Sequence, residues 1–196
     1  MNVVLVDAGG TNIGSVRYAL ERLGVVASLT ADAERIRAAS HVILPGVGAA
    51  GPGMRRLREA GLVEVLRGLR QPVLGVCLGM QLLCERSEEA DVDCLGVIPS
   101  RVTRFAEAPG IRVPHMGWNS MRVEAEHPLL AGLDADAYAY FVHSYAVPMG
   151  IHTLASADHG GAFSAVIARG NFMGMQFHPE RSAATGARLL KNFLAL

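Results

Sequence analysis

The sequence predicts an α/β protein with a doubly wound, mostly parallel sheet and an antiparallel extension. Three observations predict it. Apolar runs of strand length alternate with amphipathic helical segments up to residue 85, the order that lays parallel strands beneath crossover helices. From residue 94 to residue 177 the pattern becomes short strand-like runs separated by turn residues, which reads as antiparallel pairing. Between these halves an apolar run turns sharply into a helix, with Cys77 at the corner and Gly75 and Gly79 on either side. A chain of 196 residues, 51% hydrophobic, suffices for one domain spanning 1–196 with its sheet covered on both faces.

Residues 2–7 read as a buried parallel strand. A glycine-rich loop at 9–14 follows, then a helix with Val16, Ala19, Leu20 and Leu23 on one side, stopped at Gly24. The loop's spacing fits neither the dinucleotide fingerprint nor a Walker loop. A tight turn at the C-terminal edge of the strand, near the site, is expected instead. Further strands are expected at 25–29 and 41–44, with a short helix at 31–39 between them. The third strand runs into a glycine-rich loop, Pro45-Gly-Val-Gly-Ala-Ala-Gly51. One amphipathic helix is expected over 54–69, with arginines outward, and the elbow helix over 78–85. The acidic stretch 88–93 reads as a solvated turn. Short strands are expected at 95–98, 101–105, 121–123, 139–143, 153–157, 164–168 and 172–177. A closing helix over 184–196 turns Leu189, Leu190, Phe193 and Leu194 inward.

The elbow carries the first chemical signal. Glycines on both sides let strand and helix approach closely and tolerate a strained corner that exposes the cysteine. The same corner aims the Leu78 N–H at the point the thiol faces. That field favours thiolate and offers a donor for a developing oxyanion. A lone cysteine on such a strand is ordinarily structural, so a base is required. His178 and Glu180 supply it. Residues i and i+2 of an extended segment point the same way, so one carboxylate can orient one imidazole, with Pro179 stiffening the pair. Cysteine, histidine and an orienting acid make the thiol form of the serine-protease arrangement. A second oxyanion donor is expected from the loop at Gly46 and Gly48, where backbone can approach a ligand closely.

Composition narrows the function further. The formal net charge is zero, which argues against a nucleic-acid surface. The three cysteines, Cys77, Cys84 and Cys94, form no Cys-x-x-Cys pair and fit a reducing cytoplasm. A chain opening directly on a strand suggests no signal peptide, and no apolar stretch is long enough to span a membrane. His115 and His143 show no metal-ligand spacing, so no metal and no cofactor is expected. Trp118, the only tryptophan, lies between Gly117 and Asn119. An exposed loop and an interface anchor are expected there.

Several stretches together resemble the class I, triad-type glutamine amidotransferases. They are Asp7-Ala-Gly-Gly-Thr-Asn-Ile-Gly-Ser-Val16, Leu44-Pro-Gly-Val-Gly48, Gly75-Val-Cys-Leu-Gly-Met-Gln81, Pro114-His-Met-Gly-Trp-Asn119, Tyr140-Phe-Val-His-Ser-Tyr145 and Gly170 through Glu180. The elbow and His-Pro-Glu are shared widely in that family. The Pro-Gly-Val-Gly and Pro-His-Met-Gly-Trp-Asn stretches narrow the resemblance to the glutaminase subunits of imidazole glycerol phosphate synthases.

The resemblance implies a flavodoxin-like fold and hydrolysis of L-glutamine by a Cys77-His178-Glu180 triad. It implies an oxyanion hole from Val47 and Leu78, and glutamine bound against Gly46, Gly48, Gln81, Ser144 and Tyr145. Ammonia would pass to a cyclase subunit, a (β/α)8 barrel, in a heterodimer of histidine biosynthesis, with Asn12, Trp118 and Arg181 facing that partner. Position 8 is alanine where the family shows tyrosine, and position 181 is arginine where lysine is usual. Two alternatives stay open on the sequence: the glutaminase of another ammonia-using synthase, and a catalytically silent regulatory subunit.

Overall fold

The computed structural model describes residues 1–7 and 13–196. Its first half is the expected alternation: β1 (Val3–Val6), α1 (Ile13–Arg22), β2 (Ala27–Thr30), α2 (Ala33–Arg37), β3 (His41–Gly46), α3 (Ala50–Glu59), α4 (Val63–Arg67), β4 (Val73–Cys77) and α5 (Leu78–Leu82). The second half holds β5 (Cys84–Ser87), β6 (Val92–Asp93), β7 (Ile98–Arg104), β8 (His115–Ser120), β9 (Arg122–Val123), β10 (Tyr138–His143), β11 (Tyr145–Pro148), β12 (Thr153–Asp158), β13 (Ala162–Arg169), β14 (Phe172–Met175) and α6 (Ala183–Leu194). The main sheet runs β2-β1-β3-β4-β14-β13-β11-β7-β5-β6, with β12 and β9 branching from β13. Its β2-to-β14 half is parallel, and β13 and β11 add antiparallel neighbours. β8 and β10 form a separate antiparallel ribbon.

Alternation along β1 sends its side chains to two cores. Val3 and Leu5 join α1 and α6 through Val16, Leu20, Leu189, Leu190 and Phe193. Val4 and Val6 join α2 to α5 through Ile36, Leu57, Leu66 and Met80. Each fully buried aliphatic or phenylalanine side chain contributes about 1.5–3 kcal/mol, so both helical layers are fastened to the sheet.

Four local expectations are corrected. The helix expected over 54–69 is two helices, parted at Gly61 with φ +67°. The elbow helix stops at Leu82, because long-range partners take the carbonyls a longer helix would use. Leu95 N–H donates to Leu82 O, and Val97 and Ile98 N–H to Leu83 O. The acidic stretch, with Glu88, Ala90, Asp91 and Asp93 exposed, is more than a solvated turn, because it is also fastened. Glu89 Oε2 accepts from Ala50 N–H at 2.7 Å, and Glu88 Oε2 from Arg104 N–H at 3.0 Å. Trp118 sits on strand β8, not in a loop, and it is 54% exposed.

Candidate active site

Three parallel neighbours end at one edge of the sheet. Gly46 of β3 pairs with Cys77 of β4, and Met175 of β14 pairs with Val76. That register sets the 45–51 loop, the Cys77 corner and residues 176–178 side by side, beyond the C-terminal strand ends where such sheets bind ligands.

Cys77 has φ +54° and ψ −112°. A non-glycine residue held there stores about 1–3 kcal/mol of strain. The strain persists because neighbours dictate it: a Cβ on Gly75 would lie 2.5 Å from Gly79 O. With α5 only five residues long, local N–H groups supply most of the field at the corner, not a long helix dipole.

His178 lies against β10, its N–H donating to Tyr140 O at 2.9 Å. Ser182 clamps the segment, donating to His178 O at 2.7 Å and accepting from Tyr140 N–H at 2.9 Å. The ring Nδ1–H donates to Glu180 Oε1 at 3.1 Å, and the Glu180 side chain is only 4% exposed. Burial alone would lower the His178 pKa. Hydrogen bonds to Cys77 and Glu180, with the charges on both, outweigh it and raise the pKa to about 10. The resting His178 ring is therefore imidazolium, beside the Cys77 sulfur.

A cavity of about 440 Å³ opens over this pair, lined in part by Val47, Gly48, Leu78, Gln81, Ser144 and Tyr145. Cys77 and His178 reach into it, as do Glu89 and Arg181. Gly46 stands one residue back, where a Cβ would meet Gly79 N at 2.9 Å and Leu78 Cβ at 3.0 Å. Arg181 also lies over the Tyr140 ring at 4.3 Å, and Trp118 meets the same ring edge-on at 6.0 Å. Met116 and Tyr138 are exposed on the same ribbon. Asn12 and Ala8 lie outside the described residues.

Two residues of the site were not expected from the sequence, Gln176 beside Cys77 and Glu89 at the cavity wall. Gln176 is fully buried, with its Nε2 3.9 Å from Cys77 Sγ. His178 and Glu180 do not share the extended segment expected of them: β14 ends at Met175, and Pro179–Arg181 is a single 3-10 turn that brings Glu180 back to His178 Nδ1. Glu89 carried no local signal, because its neighbours are distant in sequence. His115 and His143 bond each other at 3.0 Å. Among the described residues no three histidine, cysteine or acidic side chains are grouped to hold a metal ion.

The family model for "Glutamine amidotransferase class-I" matches residues 4–196. The chain belongs to the class-I glutamine amidotransferases. Members of this amidotransferase family resemble it closely along the whole length. A protein described as imidazole glycerol phosphate synthase subunit HisH from Xanthomonas euvesicatoria is 60% identical over 195 residues, covering 100% of this chain and 98% of the relative. One of the same description from Xylella fastidiosa is 57% identical, covering 99% and 97%. Among solved structures, a glutamine amidotransferase superposes with a TM-score of 0.76 at 24% identity, covering 99% and 98% of the two chains. PurLQS from Thermotoga maritima gives 0.73 at 17% identity, covering 99% and 97%. These two likenesses speak for the amidotransferase fold.

Proposed function

We propose that this amidotransferase is the glutaminase subunit of an imidazole glycerol phosphate synthase, acting in histidine biosynthesis in the cytoplasm. The observation that carries the chemistry is the strained Cys77 beside His178 and Glu180 at the mouth of one cavity. Full-length identity of 60% to a synthase subunit supports the pathway. Among the described residues no helix is long and apolar enough to cross a membrane.

Glutamine enters with its carboxamide over Cys77, against Gly48, Gln81, Ser144 and Tyr145. The Glu89 carboxylate at the cavity wall is a counter-charge for the substrate's ammonium group. The thiolate adds to the carboxamide carbon, and the oxyanion is held by the N–H groups of Leu78 and Val47. The C–N bond breaks as imidazolium His178 gives its proton to the leaving ammonia. With sulfur acylated, the thiolate charge that raised the His178 pKa is gone, and burial now favours the neutral ring. Neutral His178 takes a proton from water, and the hydroxide splits the thioester to glutamate and free thiolate.

Ammonia then passes to a (β/α)8-barrel cyclase in a heterodimer. The cluster of Trp118, Tyr140 and Arg181 is the surface offered to that partner, with Asn12 beside it by resemblance. The test is glutaminase activity of the chain mixed with a cyclase subunit and the cyclase ligand. Glutamate release that rises on mixing supports the assignment, and a chain inert with every cyclase rejects it.

A further inference from the structure

Gln176 belongs to a hydrogen-bonded chain whose direction is set by one backbone carbonyl. Tyr145 C=O receives both Gln81 Nε2, at 2.9 Å, and His143 Nδ1, at 2.8 Å. A carbonyl only accepts, so both partners must donate. The NH2 of Gln81 is thereby fixed toward Tyr145. The same NH2 lies 2.9 Å from the Gln176 side chain, which must present its oxygen in return. The remaining end of Gln176, its NH2, then faces Cys77 Sγ at 3.9 Å, within reach of an N–H to sulfur bond.

The other arm is settled by the same carbonyl. His143 Nδ1 carries the proton, so its Nε2 accepts from His115 Nδ1–H at 3.0 Å. His115 Nε2 accepts in turn from Asn119 Nδ2 at 3.2 Å. Both rings are neutral along this arm, and both are buried. His143 is thus a second donor on the Tyr145 carbonyl, and His115 holds His143. The Gln176 side chain is fully buried.

We propose that Gln176 is a positioning residue for the nucleophile, donating to Cys77 Sγ in an orientation imposed through Gln81 by the Tyr145 carbonyl. The donor favours thiolate over thiol and holds the sulfur in place as the covalent bond forms and breaks. The proposal rests on Cys77 being the nucleophile. Sulfur also faces His178 with Glu180 behind it, and His143, Glu89, Tyr145 and Arg181 surround the same cavity. Those groups are common to the wild type and the variants compared.

The test is the pH dependence of Cys77 alkylation by iodoacetamide in the intact chain, read by peptide mass. Cys84 and Cys94 do not compete, since burial raises both thiols, Cys94 to about 11. Gln176→Met keeps similar volume and removes the donor. Its alkylation midpoint should rise by about one pH unit, the size of a hydrogen bond to a charged group. Gln81→Met, which frees Gln176 to turn, should raise the midpoint by a smaller step and remains informative if Gln176→Met fails to fold. Midpoints unchanged in the folded variants would overturn the proposal while leaving Cys77 as nucleophile. A wild-type Cys77 that resists alkylation at every pH would instead overturn the reading of the site itself.

Discussion

Gly79 lies so close to Leu44 that a Cβ on the glycine would sit 1.8 Å from the Leu44 carbonyl oxygen. The elbow is thus wedged against the neighbouring strand, with backbone on both sides and no side chain able to give way. Gly79→Ala should destabilise the chain by about 3 kcal/mol or prevent folding, at the upper end of overpacking costs. Urea unfolding against a Gly24→Ala control, whose Cβ would meet nothing within 4 Å, separates contact from backbone strain. Equal losses in the two variants would refute the wedge.

Cys77→Ala should abolish glutamine hydrolysis and keep the fold and partner binding. If the proposed cyclase partner is right, a complex carrying the variant should still turn over when supplied with ammonium. Near wild-type glutaminase activity in the variant would reject Cys77 as nucleophile.

Glu180→Gln keeps a hydrogen-bonding group near His178 Nδ1 but removes the charge that supports the imidazolium. Turnover should fall steeply, on the order of 10⁴-fold for a comparable carboxamide swap in a serine triad, with little change in KM. A raised KM at constant kcat would instead make Glu180 a binding residue.

Val47 and Gly48 line the cavity, and Gly48 has φ +92°. Glycines on both sides of Val47 allow its peptide to turn either C=O or N–H toward the oxyanion. The chain alone should therefore be a poor glutaminase, and the complex with its cyclase ligand should gain about 100-fold or more, one donor's worth. Equal turnover in the free chain, the complex and the liganded complex would exclude the switch.

Acid should weaken the fold through buried histidines. Burial, aided by the charge of His159, lowers His115 to about 4, and burial lowers His143 to about 3. Burial and the N-terminal ammonium lower His41 as well. In the unfolded chain these rings take protons near pH 6.5, while the folded chain refuses them. Stability is full above that pH and falls as the pH drops toward 4. The raised His178 has the opposite sign: its contribution is full below about pH 6.5 and is lost progressively as the pH rises through about 10. Thermal melts at pH 7 and pH 5 should differ by several degrees, and His143→Gln should narrow the gap. An unchanged gap would remove His143 from this account.

The parallel half of the fold and the elbow are written in local sequence. Apolar strands, helix periodicity and glycines flanking Cys77 each act over a few residues. What the sequence hid depends on distant partners. Leu82 and Leu83 look helical onward to residue 85, until residues 95–98 claim their carbonyls. Strand β11 escaped notice because it is only four residues long and follows directly on the run expected at 139–143, while the chain changes sheets at Ser144, whose carbonyl accepts from Phe105 N–H. Glu89 looked solvated because Ala50, its partner, lies 39 residues away. Gln176 escaped because it lies past the end of β14, where no local pattern aims its side chain at Cys77, 99 residues away.

The insertion of β14 between β4 and β13 bears on how the chain is made. Strand β4, which carries Cys77, leaves the ribosome long before its central neighbour, so it waits with an unpaired apolar edge. Such edges invite pairing with other chains, and late, sequence-distant pairing is slow. Translation must reach residues 172–175 before that edge can close, so no nascent fragment ending earlier carries both halves of the site. Chains stopped before Phe172 should be protease-sensitive and aggregation-prone, as limited proteolysis of a truncated product would show. Synthesis of the C-terminal strand thus acts as a timer, keeping the thiol without its base until the polypeptide is nearly finished.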